Sequence, residues 1–189
     1  DLMKGVGKVL AGESDQKLED HIAHRENVLD NVQREVTEFL GKIMVKRVPA
    51  EVAERARRLL RLSDELESVS DEAATILKVT RRLRKGGLAF SESSQRVLLD
   101  IHERTMSFAA MVSSLLRSPC PDFDLGAVQN ESKVLHELIR TSRQGQLNRI
   151  GPNDPNSPVR VLVELDILNA YERIRAYYLN CAETLAGGK

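Results

Sequence analysis

Two segments of this chain place a pair of carboxylates four residues apart, Glu26-Asn-Val-Leu-Asp30 and Glu67-Ser-Val-Ser-Asp71. On a helix, positions i and i+4 stand one turn apart on the same side, so each segment presents its two acids together. In an antiparallel hairpin, residues at equal height have a constant sum of numbers. Glu26 with Asp71, and Asp30 with Glu67, both sum to 97, and half of 97 falls at Val48-Pro49, where the sequence signals a turn. Four acidic groups are therefore expected at one level of one hairpin. Like charges so placed repel, and two chemistries relieve them. The group could bind a cation through oxygen ligands, with iron, zinc, manganese and magnesium as candidates. Alternatively it is a solvated acidic face, partly neutralised by i,i+4 neighbours such as Arg34 after Asp30.

The elements that must position these acids are long helices. Charged residues make up 30% of the 189-residue chain and aromatics 4%, with no Trp, a composition that suits amphipathic helices and predicts an all-α fold. Asp1 to Leu10 reads as the end of a helix broken at Gly12, with Ser14-Asp15 capping the next. That helix carries an apolar stripe (Leu18, Ile22, Leu29, Val32, Val36, Phe39, Ile43) to about Met44. Pro49 opens a third helix whose apolar residues alternate at spacings of three and four up to Gly86-Gly87. Ser91 caps a fourth, which Pro119 and Pro121 stop. A fifth runs from about Leu125 to Ile150, and a sixth from Pro158 to about Ala186.

At about 100° per residue, the buried stripe of the third helix is centred between Leu66 and Val69. Glu67 and Asp71 lie roughly 130–170° from that centre, and Glu26 and Asp30 roughly 90–130° from the Leu29/Val32 stripe. The tetrad is thus expected on the outer surface of the hairpin. Buried di-iron bundles require Glu-x-x-His motifs inside the bundle. None occurs, and His21, His24, His102 and His136 are not at the required positions, so oxygen-activating chemistry is not expected.

The two halves of the chain align with each other. Asn27-Val-Leu-Asp30 matches Lys133-Val-Leu-His136 at an offset of 106, and Leu66–Asp71 matches Tyr171–Ala176 at 105, with the heptad register preserved. This predicts a tandem repeat of three-helix bundle units over residues 1–87, with its first helix cut short, and 88–189.

The segment Leu66-Glu67-Ser-Val-Ser-Asp71-Glu-Ala-Ala-Thr-Ile76 resembles the ExxxD motif of the PhoU family. With the second pair at Glu26 and Asp30 and the C-terminal Tyr171-Glu-Arg-Ile-Arg-Ala-Tyr-Tyr-Leu-Asn180, the chain is most similar to the cytosolic C-terminal PhoU domain of bacterial Na+/phosphate cotransporters. The resemblance implies a non-catalytic regulatory domain at the inner face of the cell membrane, with metal clusters at its ExxxD motifs. Its implied partner is the transmembrane transport domain of the same polypeptide, or a phosphate transporter or sensor protein, with a homodimer as a further arrangement. A chain that begins at Asp1 inside a helix agrees with excision from something longer. The metal set is Glu26, Asp30, Glu67 and Asp71. The second half departs from the pattern, offering Ser132, His136, Glu172 and Ala176 at the matching positions, so that only His136 and Glu172 could form a weaker second site. Two other readings stand beside this one: a free-standing regulator of phosphate uptake and signalling, and a metal-free helical scaffold or dimerisation module.

Other features exclude more than they assign. With 28 basic and 28 acidic residues there is no global field for nucleic acid. Cys120 and Cys181 are far apart and fit a reducing compartment and apolar packing better than a disulfide or thiolate zinc site. No apolar run approaches the length of about 18 residues that spans a membrane. The basic residues Arg55, Arg57, Arg58 and Arg61, with Arg81–Lys85, could face anionic lipid but are more simply a solvated face and helix-dipole complement. Tyr171 and Tyr178 share the apolar stripe of the last helix, whereas Tyr177, off that stripe, is placed to close over the second site. Neither a Gly-x-Ser-x-Gly nor a P-loop occurs, so no enzyme is expected.

Overall fold

The computed structural model describes residues 2–13, 16–117, 123–147 and 156–187, with side chains for all of these except 16–19, 21, 23 and 147. Among the described residues there are six helices and no strand: α1 (Leu2–Leu10), α2 (Gln16–Met44), α3 (Ala50–Lys85), α4 (Glu92–Arg117), α5 (Leu125–Leu147) and α6 (Ser157–Leu185). The expected all-α class holds. Ser14-Asp15, Cys120 and the two prolines at 119 and 121 lie outside the described residues.

The helix ends follow local chemistry. Gly87 has φ +71°, a left-handed conformation that a side chain resists. It lets Leu88 N–H donate to Leu83 O (3.1 Å) and Gly87 N–H to Arg84 O (2.9 Å), so two of the last carbonyls of α3 are satisfied. Ser91 Oγ accepts from Ser94 N–H (3.1 Å) to start α4. Asp124 Oδ1 accepts from Ala127 N–H (3.1 Å) and does the same for α5, a cap the periodicity did not reveal.

α2 and α3 form one antiparallel hairpin and α5 and α6 another. The most extensive contact in the molecule is between α3 and α6, with α4 packed on α5 and α6, and α1 packed on α2, α3 and α4. α6 is apolar around much of its circumference because three helices surround it; Ile167, Leu168, Tyr171, Ile174 and Cys181 are fully buried. One continuous hydrophobic cluster runs through both halves of the chain. Polar links tie α3 to α6 along its edge: Arg173 donates to both Glu72 carboxylate oxygens (2.5 and 2.7 Å), and Asn180 donates to Glu65 (3.1 Å).

α1 fits closely because of a glycine. A Cβ at Gly7 would lie 2.5 Å from His102 Nε2. That ring is held in turn, since His102 Nδ1 is 2.9 Å from the hydroxyl of the fully buried Tyr171. Tyr171 and Tyr178 are core residues as expected, and Tyr177 is half-buried against the same cluster.

The apolar stripe of α2 behaves differently from expectation. Ile22 is 5% exposed, but Leu29, Val32 and Phe39 are 40%, 51% and 63% exposed, and on α3 Leu59 and Leu66 are exposed as well. Periodicity identifies which face of a helix is apolar. It does not supply the element that covers it, and here Val9 of α1 lies beside Ile22 near the start of α2, where the two line one cavity.

Candidate metal centre

The site is built on the α2–α3 hairpin. Its register is marked by a side-chain hydrogen bond: Gln33 Nε2 donates to Asp64 Oδ1 at 3.1 Å, a pair whose numbers also sum to 97. In that register Asp30, Glu67 and Asp71 converge. One carboxylate oxygen from each lies within 4.8 Å of the other two. Asp30 and Asp71 are exposed and Glu67 is half-exposed, so the cluster faces solvent, on the side of α3 opposite its buried residues. Glu26 stands beside the three rather than among them. It is close enough for Asp30 and Asp71 to act on its charge, but it is not part of the converging set.

Burial first, and mutual repulsion after it, mark the electrostatics of the cluster. Partial burial, then the charges of Asp30 and Asp71, push the Glu26 carboxyl above its usual range. Burial, then Asp71, Asp30 and Asp64, do the same to Glu67. Burial, then Asp30 and Glu72, raise Asp71. Arg34 does not neutralise Asp30; its guanidinium donates to Asn31 Oδ1 at 2.9 Å. The neighbouring acids on α3 are all engaged, Asp64 by Gln33, Glu65 by Asn180 and Glu72 by Arg173. Among the described residues, no side chain donates a hydrogen bond or ion pair to Asp30, Glu67 or Asp71.

The donors are carboxylate oxygens only, with solvent access for completing water ligands. Such a set suits a hard cation that tolerates water in its coordination sphere, magnesium, manganese or ferric iron, better than zinc, which favours nitrogen and sulfur.

The matching positions of the second half are arranged in another way. His136 Nδ1 and Glu172 Oε1 are 2.8 Å apart, so the structure does bring these two together. Arg175 closes over them: its guanidinium donates to Glu172 Oε1 (2.7 Å) and to Ser132 Oγ. Burial alone would raise the Glu172 carboxyl, but the hydrogen bonds from Arg175 and His136 outweigh it and hold the group below the usual range. A guanidinium thus sits where the first half has three unneutralised acids. Sequence matching missed this, because Arg175 aligns with Ser70, outside the four compared positions. An arginine three residues after the glutamate on the same helix is the signal that could have found it.

Two other groups that could act chemically are held by burial in their neutral forms. Burial pushes the Cys181 thiol up to about 12, which keeps it protonated at neutral pH. Burial also lowers His102, which favours its neutral ring against Tyr171. No described helix is long and apolar enough to cross a membrane. No family model, curated protein or solved structure matches the chain.

Proposed function

We propose that this protein is a non-catalytic regulatory helical domain that binds one hard metal ion at Asp30, Glu67 and Asp71, with Glu26 at the edge of the site. The observation that carries this reading is the contrast on one helix face. Every neighbouring acid of α3 has a partner, while the three convergent carboxylates have none and repel one another. A bound cation removes that repulsion and joins α2 to α3 at mid-length, so occupancy sets the rigidity of the hairpin.

The two halves are read as a tandem repeat of three-helix units, in agreement with the mutual packing of α1, α2 and α3 and of α4, α5 and α6. In the second unit Arg175 serves as a built-in cation, and a metal at His136 and Glu172 would have to displace it. The ExxxD pairs and their similarity to the PhoU family support a role in phosphate transport. The domain would act at the cytoplasmic face of the membrane on a sodium-dependent phosphate transporter, through its transport domain or a sensor protein.

Elemental analysis of protein purified without chelator, compared with Asp71→Ala, tests the metal reading. About one equivalent of iron, manganese or magnesium in the parent and none in the variant supports it. No metal in either favours a metal-free scaffold.

A further inference from the structure

A hollow of about 190 Å³ opens between α1, α2 and α3, beside the acid cluster. Part of its lining is apolar, formed by Val9, Ile22, Leu77 and the small Ala74. The rest is charged, formed by Glu26 on α2 and by Lys78, Arg81 and Arg84 on α3. Val9 and Ile22 are buried, whereas Lys78 and Arg81 are exposed, so the apolar groups form the floor and the bases the rim. On α3, Asp71, Ala74, Lys78 and Arg81 follow one another at spacings of three, four and three. One face of the helix therefore passes from acid to base, with only an alanine between the two.

The opposite charges around this hollow do not pair across it. Among the described residues, neither Glu26 nor Lys78 makes a hydrogen bond or an ion pair. The charges acting on the Glu26 carboxyl are those of Asp30 and Asp71, and no base counters them. Arg84 is held in place, since its guanidinium donates to Val9 O and Glu13 O at the end of α1. Arg81 stands three residues from Lys78 and three from Arg84, so the bases line one side of the hollow together. In a chain of 28 basic and 28 acidic residues, this is a local positive field and not a share of a global one. Glu26 is accounted for by the acid cluster; the bases belong to no site described so far.

We propose that the hollow binds a small organic oxyanion, with its charged head against Lys78 and Arg81 and its short hydrocarbon body against Val9, Ile22 and Leu77. The volume equals that of about six waters at ~30 Å³ each, which suits an acid of about six non-hydrogen atoms and is too small for a long acyl chain. The head gains charge-assisted hydrogen bonds from an ammonium and a guanidinium. The body removes the half-buried Leu77 and its neighbours from water. Glu26 opposes such a ligand, so removing its charge strengthens binding while removing either base weakens it. A cationic ligand of the same shape meets three like charges at the rim.

The test is an NMR titration of metal-free protein at neutral pH with butyrate, with formate, which has the head without the body, and with butylammonium, which has the body with the opposite charge. Without metal, the result does not depend on occupancy of the acid cluster. Butyrate should give saturable shifts confined to the amides of Val9, Ile22 and the stretch from Ala74 to Arg84. Lys78→Ala and Arg81→Ala, both at exposed positions, should each weaken butyrate at least ~5-fold, and Glu26→Gln should strengthen it at least ~2-fold. Formate should bind at least ~5-fold more weakly than butyrate, and butylammonium should give no saturable shift. Absence of saturable shifts with butyrate, unchanged affinity in Lys78→Ala and Arg81→Ala, or an equal response to butylammonium would overturn the proposal. Formate binding as tightly as butyrate would overturn it in favour of a site for inorganic anions.

Discussion

Gln33 Nε2 donates to Asp64 Oδ1 across the α2–α3 hairpin at 3.1 Å, a bond that marks the height at which the other pairs on the two helices meet. One turn away, the same register brings Asp30 level with Glu67. A slip of one helical turn would separate those carboxylates by about 5 Å and disperse the cluster. The site therefore depends on hairpin register as much as on the identity of its acids.

Removing one charge should stabilise the metal-free protein. The folded-state pKa values of Glu26, Glu67 and Asp71 lie above their ordinary values, so folding favours their neutral forms. The contribution is favourable below the unfolded pKa and is lost as pH rises through the folded one, leaving repulsion at neutral pH. For exposed groups the effect is small. Asp71→Asn should raise Tm at pH 7 by roughly 1–3 °C without metal, and the difference should vanish on acidification below the carboxylate range, as read by thermal melts across pH.

The second half should respond in the opposite sense. Glu172 is held below its usual range, so its contribution is present at neutral pH and lost as pH falls through the depressed folded value. Arg175→Ala removes the donor of Ser132 and leaves Glu172 with His136 alone, and should lower stability by about 2 kcal/mol, visible in urea melts. NMR titration should find the Glu172 carboxyl raised in that variant, and an unchanged value would contradict the role given to Arg175.

Gly7→Ala should loosen α1. The new methyl group meets the His102 ring, which is anchored by Tyr171 and cannot swing away freely. A loss of about 1–3 kcal/mol is expected, with faster amide exchange in α1 than in α6. Parent-like melting would mean that α1 shifts without penalty.

Tyr171→Phe removes the hydroxyl beside His102 Nδ1 and leaves a buried ring nitrogen unpaired. The expected destabilisation is about 1–2 kcal/mol, measured as a lower urea midpoint with unchanged slope.

The hairpin register and the outward direction of the acids were legible from Pro49, the carboxylate spacings and helical geometry alone. Three features were not. Glu26 falls at the margin of the cluster because spacing fixes height, while convergence depends on side-chain reach. Arg175 fills the second site from a position that motif matching skips. Phe39 and Val32 are open because an apolar stripe specifies a need for cover without saying which element supplies it.

The central claim is tested most directly by calorimetric titration of metal-free protein with Mn2+ at neutral pH. The parent and Glu172→Gln should each show one saturable site per chain, and Glu67→Gln and Asp71→Asn should show none. Absence of binding in the parent, or equal binding in Asp71→Asn, would contradict a metal centre at Asp30, Glu67 and Asp71.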